Sequence, residues 1–358
     1  MANVTIERYV CAMAPRPTAG RKPLRQGRPQ WVRVQLLTFP GATPIVPVGL
    51  YDLLRKSAEL AVQHGLGPKL DVTLVAVSQS RRLRAAGSLA LECGHTLATA
   101  PAADFVVVSP LDPEVLEVGS RDPGLRRYLL KAHRRGATLA SVCTGAFGLA
   151  ESGLLDGRRA ATHWAFQDAF RARFPKVQLL PQEILVDEGR LLSTGGATSF
   201  LNFAIYLVER IWGPELARAA ARMFLIDERK SPQGAYAIFA GQRQHGDDVI
   251  LRAQTLIEEQ VGRAWSVELL AARVSMSRRT FIRRFKAATG APPRDYLQRA
   301  AVEAAKRRLE SSSDQVAEVA RLVGYEDPAA FRRLFVRHTG LTPADYRSRY
   351  GRVITSAR

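Results

Sequence analysis

The chain has 358 residues, more than the roughly 250–300 at which a single hydrophobic core stops growing, so two domains are expected. No stretch approaches the roughly 18 uninterrupted apolar residues that a membrane-spanning helix needs, and the N-terminus lacks the apolar core of a secretory signal. Membrane and secreted classes are thereby excluded and a cytoplasmic protein is expected. The three cysteines, Cys11, Cys93 and Cys143, are too few and too scattered for a disulfide framework or a metal cluster, and no metal or other cofactor is expected. A net charge of +19 favours polyanionic partners, because basic groups release condensed counterions from phosphates. Residues 247–358 carry 21 Lys/Arg against 13 Asp/Glu, residues 1–30 carry 6 against 1, and the middle carries 25 against 19.

Residues 1–30 hold Pro15, Pro17, Gly20, Pro23, Gly27 and Pro29 among basic residues and read as a flexible tail. From Trp31 apolar runs alternate with helical stretches. Strands are expected at Val32–Phe39, Asp71–Ser78, Phe105–Ser109 and Ala137–Val142, with helices near Val48–His64 and Gly124–Arg135. Short strands near Gln178–Val186 and Leu191–Ser193 lead into an apolar helix from about Ala197 to Trp212. This alternation predicts an α/β, doubly wound parallel sheet over residues 31–240. Residues 241–248, GQRQHGDD, read as a polar linker. An all-α domain over 249–350 and a short tail over 351–358 complete the chain.

The helical domain contains an internal repeat. FIRRFKAATGAPPRDYL (Phe281–Leu297) and FRRLFVRHTGLTPADYR (Phe331–Arg347) align without gaps at an offset of 50, with 8 of 17 positions identical. A short helix and tight turn precede each copy, Val267–Arg273 then Val274–Met276, and Gln315–Leu322 then Gly324–Tyr325. Two helices joined by such a turn are a helix-turn-helix. At about 100° per residue, Phe281, Phe285 and Ala288 share one face of the second helix, while Arg279, Arg283 and Lys286 share the opposite one. In the second copy Phe331 and Phe335 face inward, and Ala329, Arg333 and Arg337 face outward. Ser277 and Asp327-Pro328 start the two recognition helices, and Gly290 and Gly340 end them. Outward arginines can take guanine O6 and N7 together, worth ~1–3 kcal/mol of discrimination, while flanking basic residues hold phosphates.

With these elements in place, Asp247–Tyr350 resembles the DNA-binding domain of the AraC/XylS family, including the closing GLTPADYR (Gly340–Arg347). The resemblance implies seven helices, two helix-turn-helix units joined by a long helix at about Tyr296–Leu309, and double-stranded DNA as partner. Residues Arg278, Arg279, Arg283 and Lys286 in the first unit, and Ala329, Arg332, Arg333 and Arg337 in the second, are the DNA-binding candidates. Arg279 aligns with Ala329, so the first unit is expected to carry more of the sequence reading.

In SVCTGAFGLAESGLLDGRRAATHW (Ser141–Trp164) an apolar strand ends at Cys143 and a glycine-bearing turn opens a helix. A strand, sharp turn and helix can present a nucleophile at the rim of a sheet, and a helix N-terminus would lower the pKa of its thiol. The bland alternative is a small buried cysteine. This stretch, with the pattern around it over Val32–Trp212, resembles the ThiJ/PfpI branch of the class I glutamine amidotransferase-like superfamily. Its fusion to an AraC-type domain is the arrangement of the GlxA-like regulators. That resemblance implies a ligand-sensing, dimerising N-terminal domain, a small-molecule effector, and activation through contact with RNA polymerase. Isocyanide hydratases and glyoxalase-like hydrolases of the superfamily pair the elbow cysteine with an acid from the first strand-to-helix loop. In FPGATPIVPVGLYD (Phe39–Asp52), Val46 stands where that acid is expected. No catalytic residue is assigned on this basis, and Cys143, Thr144 and His163 are the ligand-pocket candidates. A cysteine-dependent hydratase or hydrolase fused to a DNA-binding domain is the alternative.

Overall fold

The computed structural model describes residues 30–196, 198–227, 232–239, 241–243, 245–263 and 265–351. Most of both expected tails therefore lies outside the described residues. The chain divides into two compact units, the first ending at Lys230 and the second beginning at Ser231.

The first unit contains strands β1 (Trp31–Thr38), β2 (Lys69–Ala76), β3 (Arg82–Arg84), β4 (Ala90–Glu92), β5 (His95–Thr96), β6 (Phe105–Val108), β7 (Thr138–Val142), β8 (Arg159–Ala160), β9 (Gln178–Leu179), β10 (Leu185–Asp187) and β11 (Leu191–Thr194). Its helices are α1 (Ile45–Gln63), α2 (Pro113–Ser120), α3 (Pro123–Arg134), α4 (Gly145–Glu151), α5 (Gln167–Arg173), α6 (Ser199–Trp212) and α7 (Pro214–Met223). The main sheet runs β10-β11-β7-β6-β1-β2-β5, parallel throughout except where β10 meets β11. Its central order, β2-β1-β6-β7-β11, is the flavodoxin-like winding expected from the alternation.

Parallel strands must be covered on both faces, and the side-chain period of two distributes the apolar residues accordingly. Val34, Leu36, Val107, Ala140 and Leu192 pack in one core with residues of α1, α6 and α7. Leu37, Val106, Val108, Leu139 and Leu191 pack in the other with residues of α2 to α5. In such sheets the crevice outside the carboxyl ends of the strands is where ligands bind, and Cys143 follows the last residue of β7 there.

The second unit is helical: α8 (Asp248–Glu259), α9 (Val267–Arg273), α10 (Arg278–Thr289), α11 (Pro293–Ser311), α12 (Val316–Leu322), α13 (Pro328–Thr339) and α14 (Pro343–Tyr350). These are seven α-helices among the described residues, with the 19-residue α11 as the long connector. Phe281, Phe285, Tyr296 and Leu270 centre one core; Phe331, Phe335, Tyr346 and Leu309 centre the other. The segment from Pro232 onward, expected from sequence as the end of the first domain and a linker, lies within this second unit. Ala235 is buried in the Phe331 core, and Asp247 caps α8, accepting from Ile250 N.

Candidate nucleic-acid interface and cysteine elbow

The two helix-turn-helix units repeat a set of core contacts. Phe285 meets Tyr296 edge-on at 5.2 Å between ring centres, and Phe335 meets Tyr346 at 5.4 Å. Tyr296 donates to Glu258 at 2.5 Å, as Tyr346 does to Glu310. Thr289 Oγ1 lies 2.8 Å from Phe285 O and 3.0 Å from Ala291 O. Thr339 Oγ1 lies 2.8 Å from Phe335 O and 3.1 Å from Leu341 O. The identical phenylalanines, threonines, glycines and tyrosines of the repeat thus build each core and end each recognition helix, whereas the identical Arg283 and Arg333 are exposed. Gly290 and Gly340 close α10 and α13 in the left-handed conformation, at φ 77° and 73°, where a side chain would be strained.

Offset distinguishes the copies at one place. The turn of the first unit places Ser275 at φ 55° and that of the second places Gly324 at φ 87°, an offset of 49. The recognition helices follow at an offset of 50, so the second turn holds one extra residue before its cap. Ser277 caps α10 by accepting from Thr280 N, and Asp327 caps α13 by accepting from Ala329 N.

Both outward faces carry the expected basic groups. Arg278, Arg279, Arg283 and Lys286 on α10 are exposed, as are Ala329, Arg332, Arg333 and Arg337 on α13. The opposite faces are sealed: Phe281, Phe285, Phe331 and Phe335 have no exposed surface. Arg278 donates to Glu268 of α9 at 2.5 Å. Arg333 approaches Asp327 only at 3.8 Å. Arg284, turned toward α8, grips Asp247 with two hydrogen bonds of 3.0 and 2.8 Å, and this guanidinium holds the Asp247 carboxyl below its ordinary range. Arg284 is therefore a structural clamp, which its place in a basic run does not disclose.

In the first unit, Cys143 adopts φ 58°, the sharp turn between β7 and α4 that the sequence predicts. Gly145 lets the turn close. A Cβ there would collide with Val108 O and lie 2.9 Å from Ser109 O. Thr162 donates to Cys143 O at 3.1 Å, which brings the ATHW segment against the elbow. The His163 ring packs on Trp164 at 5.2 Å and edge-on to Phe166 at 5.8 Å. Its Nδ1 accepts from Ala165 N at 3.0 Å, so the neutral ring carries its proton on Nε2. Burial holds this histidine below its ordinary pKa.

Two family models match this chain: a helix-turn-helix domain over residues 270–349 and the DJ-1/PfpI family over residues 114–210. An AraC-like transcription regulator of Streptomyces lividans is 38% identical over 101 residues, covering 28% of this chain and 33% of its own. The chain joins a DJ-1/PfpI domain to an AraC-type helix-turn-helix domain. It is 27% identical over 227 residues to the HTH-type transcriptional regulator CdhR of Pseudomonas aeruginosa, covering 63% of this chain and 67% of that one. The HTH-type transcriptional regulator GlxA of Rhizobium meliloti is 27% identical over 228 residues, covering 62% and 69%. The chain thus spans about two thirds of the length of these two regulators.

Within the DJ-1/PfpI domain two expectations change. The helix N-terminus was expected to lower the Cys143 pKa. Instead, burial raises the thiol to about 11, outweighing the hydrogen bond from the Thr144 backbone amide, and the nearby Asp112 charge adds to the rise. At neutral pH Cys143 is a thiol. Thr144 was expected to line a pocket, yet its hydroxyl donates to Leu111 O at 2.7 Å and accepts from Leu111 N at 2.9 Å. It pins the β6–α2 loop to the elbow and has no spare proton for a ligand. Val46 has no exposed surface and shares a buried cluster with Cys143, so the position where an acid is expected is apolar. The acid nearest in effect is Asp112, on the β6–α2 loop, which accepts from Thr43 Oγ1. Sequence reasoning passed over Asp112, although Asp112-Pro113 is a readable helix start.

Proposed function

We propose that this protein is a sequence-specific, DNA-binding transcription regulator controlled by a small metabolite held by the DJ-1/PfpI domain. One observation carries the reading: two copies of one fold each turn an exposed basic helix face outward while burying the aromatic face behind it. Arg279 and Arg283, with Arg332 and Arg333, are the base-reading groups, and Arg278, Lys286 and Arg337 hold phosphates. Ala329 contributes only apolar contact at the place where the first unit has Arg279. The effector site is the rim formed by Cys143 and His163, with no chemistry performed there. General acid–base work needs a positioned proton acceptor, whereas Cys143 is held as the thiol and its expected acid is Val46.

In this reading the protein acts in the cytoplasm as a homodimer on double-stranded DNA, and as an activator that contacts RNA polymerase. Effector binding shifts its DNA-bound geometry only in so far as the effector prefers one state. The names of CdhR and GlxA agree with the class of function. The deciding experiment selects bound duplexes from a random-sequence library and, in parallel, offers the protein isocyanides and 2-oxoaldehydes. A selected motif with no turnover is expected. Turnover at ordinary enzymatic rates would replace the sensor with the hydratase or hydrolase alternative.

A further inference from the structure

Eight residues that precede the helices, Pro232–Phe239, touch both helix-turn-helix units. Pro232 lies over Gly340, the residue ending α13, so closely that a Cβ there would collide with it. Ala235 is 2% exposed within the core of the second unit. Phe239 packs edge-on against Tyr296, in the core of the first unit, with ring centres 4.8 Å apart. Between these anchors the segment is fastened to the long helix α11. Lys306 donates to Ala237 O and lies 3.3 Å from Glu303, whose carboxylate accepts from Phe239 N at 3.2 Å.

This attachment is unusual in its chemistry. Lys306 is 5% exposed, and burying an ammonium is costly unless it is paired and hydrogen-bonded. Two of its partners concern the segment, one being the segment's backbone and the other the carboxylate that holds the segment's next amide but one, while the third is the Tyr346 ring, 5.9 Å from the ammonium. A charge pair retained at such a cost for packing alone is poorly explained, since apolar residues of similar volume would serve as well. Beside Phe239 lies an open cavity of about 230 Å³, lined by Arg243, Glu258, Val261, Glu303 and Arg307.

We propose that Pro232–Phe239 is a staple that sets the relative placement of the two recognition helices, with the Glu303–Lys306 pair as its latch. The chain enters the helical unit through this segment. A rearrangement of the DJ-1/PfpI domain can therefore reach the DNA-reading faces by pulling one end of the staple. Two packed arrangements, latched and released, are the bistable element that such coupling requires. This step toward regulation rests on the DNA-binding function proposed above; the staple itself does not.

The test uses the full chain with Cys11→Ser, spin labels on Arg279→Cys and Ala329→Cys, and the distance distribution between them. The variants are Glu303→Gln/Lys306→Met, which removes both charges so that neither is orphaned, and Phe239→Ala, which acts from the segment's side. Circular dichroism confirms that each retains its helices. The parent should give one narrow distance, and both variants distributions roughly twice as broad. Distributions as narrow in the variants as in the parent would overturn the staple. The same parent and variants, with Arg279 and Ala329 left native and unlabelled, are then offered a random-sequence duplex library. The parent should select two half-motifs at one spacing, and the variants the same half-motifs at several spacings. A broadened distance with no motif selected by any of the proteins would sustain the staple and overturn the DNA-reading function. An unchanged single spacing in the variants would overturn the staple's role in DNA geometry.

Discussion

Glu268 holds Arg278 at the mouth of the first recognition helix, accepting from its Nε at 2.5 Å while the two side chains remain 61% and 64% exposed. The pair links α9 to α10 across the turn. The Glu268 backbone amide and then Arg278 hold this carboxyl below its ordinary pKa. Exposed pairs contribute little, however, because water screens them, so a DNA phosphate can take Arg278 away at small cost.

Replacing Glu268 with Gln should accordingly release Arg278 and strengthen binding to random-sequence duplex. The log–log dependence of affinity on salt should steepen by at most about 0.9, the contribution of one phosphate contact. Fluorescence anisotropy across a sodium chloride series reads both. Unchanged affinity and slope would mean that Arg278 does not face the DNA.

Arg283 stands four residues after Arg279 on the face opposite Phe281 and Phe285. Arg283→Ala should cost about 1–3 kcal/mol on a selected site and far less on random DNA, because a base contact is lost. Lys286→Ala should weaken both alike and lower the salt slope by about one. Equal losses for Arg283→Ala on the two DNAs would remove its base-reading role.

Burial sets the behaviour of Cys143. With its thiol raised to about 11, native alkylation by iodoacetamide should be slow at pH 7 and should climb with pH without levelling below about pH 10, since the thiolate is the reacting form. Cys143→Ala should leave DNA affinity unchanged. A labelling rate that levels off near neutral pH would show a reactive thiolate and revive the enzymatic reading.

Gly145→Ala places a methyl group against the Val108 and Ser109 carbonyls, which are backbone and cannot turn aside. Destabilisation of about 1–3 kcal/mol is expected, as for overpacking elsewhere. Thermal unfolding measures it, and a substitution without effect would show that the elbow can open.

His163 and His133 are both held below the ordinary histidine value by burial. The native state therefore keeps them neutral where the unfolded chain binds protons. Stability is complete above the unfolded pKa of ~6.5 and should fall as pH drops below it. Urea unfolding at pH 8, 6 and 5 should show this decline, and His163→Gln should flatten it in part. A decline identical in the variant would mean that His163 titrates normally.

Much of this architecture is legible along the chain because it rests on local rules. The 50-residue repeat exposes the duplication, helical periodicity separates Phe281 and Phe285 from Arg279 and Arg283, and the caps Ser277, Asp327, Gly290 and Gly340 announce the ends of both recognition helices. The alternation of apolar runs and helices likewise yields the parallel sheet. Short strands such as β3, β4 and β5, and the helix α2, escaped that reading. They are brief, and their register depends on neighbours distant in sequence.

The elbow shows where local rules stop. Its turn is written in Cys143 and Gly145, and the missing acid in Val46, but the state of the thiol is not. Cys143 is protonated because α1, α6 and neighbouring strands bury it, and the Thr144 hydroxyl is consumed by Leu111, 33 residues earlier. The polar run after Ala240 and the residues before it carry no periodic signal, so sequence assigns them to the end of a domain and a linker. Only the folded chain, by burying Ala235 and setting Phe239 on Tyr296, makes Pro232–Phe239 part of the helical unit. Sequence determined what each helix would present, because a helix face follows from spacing alone. Tertiary structure decided which groups lose water and which segments bind together, because those outcomes depend on residues far apart in the chain.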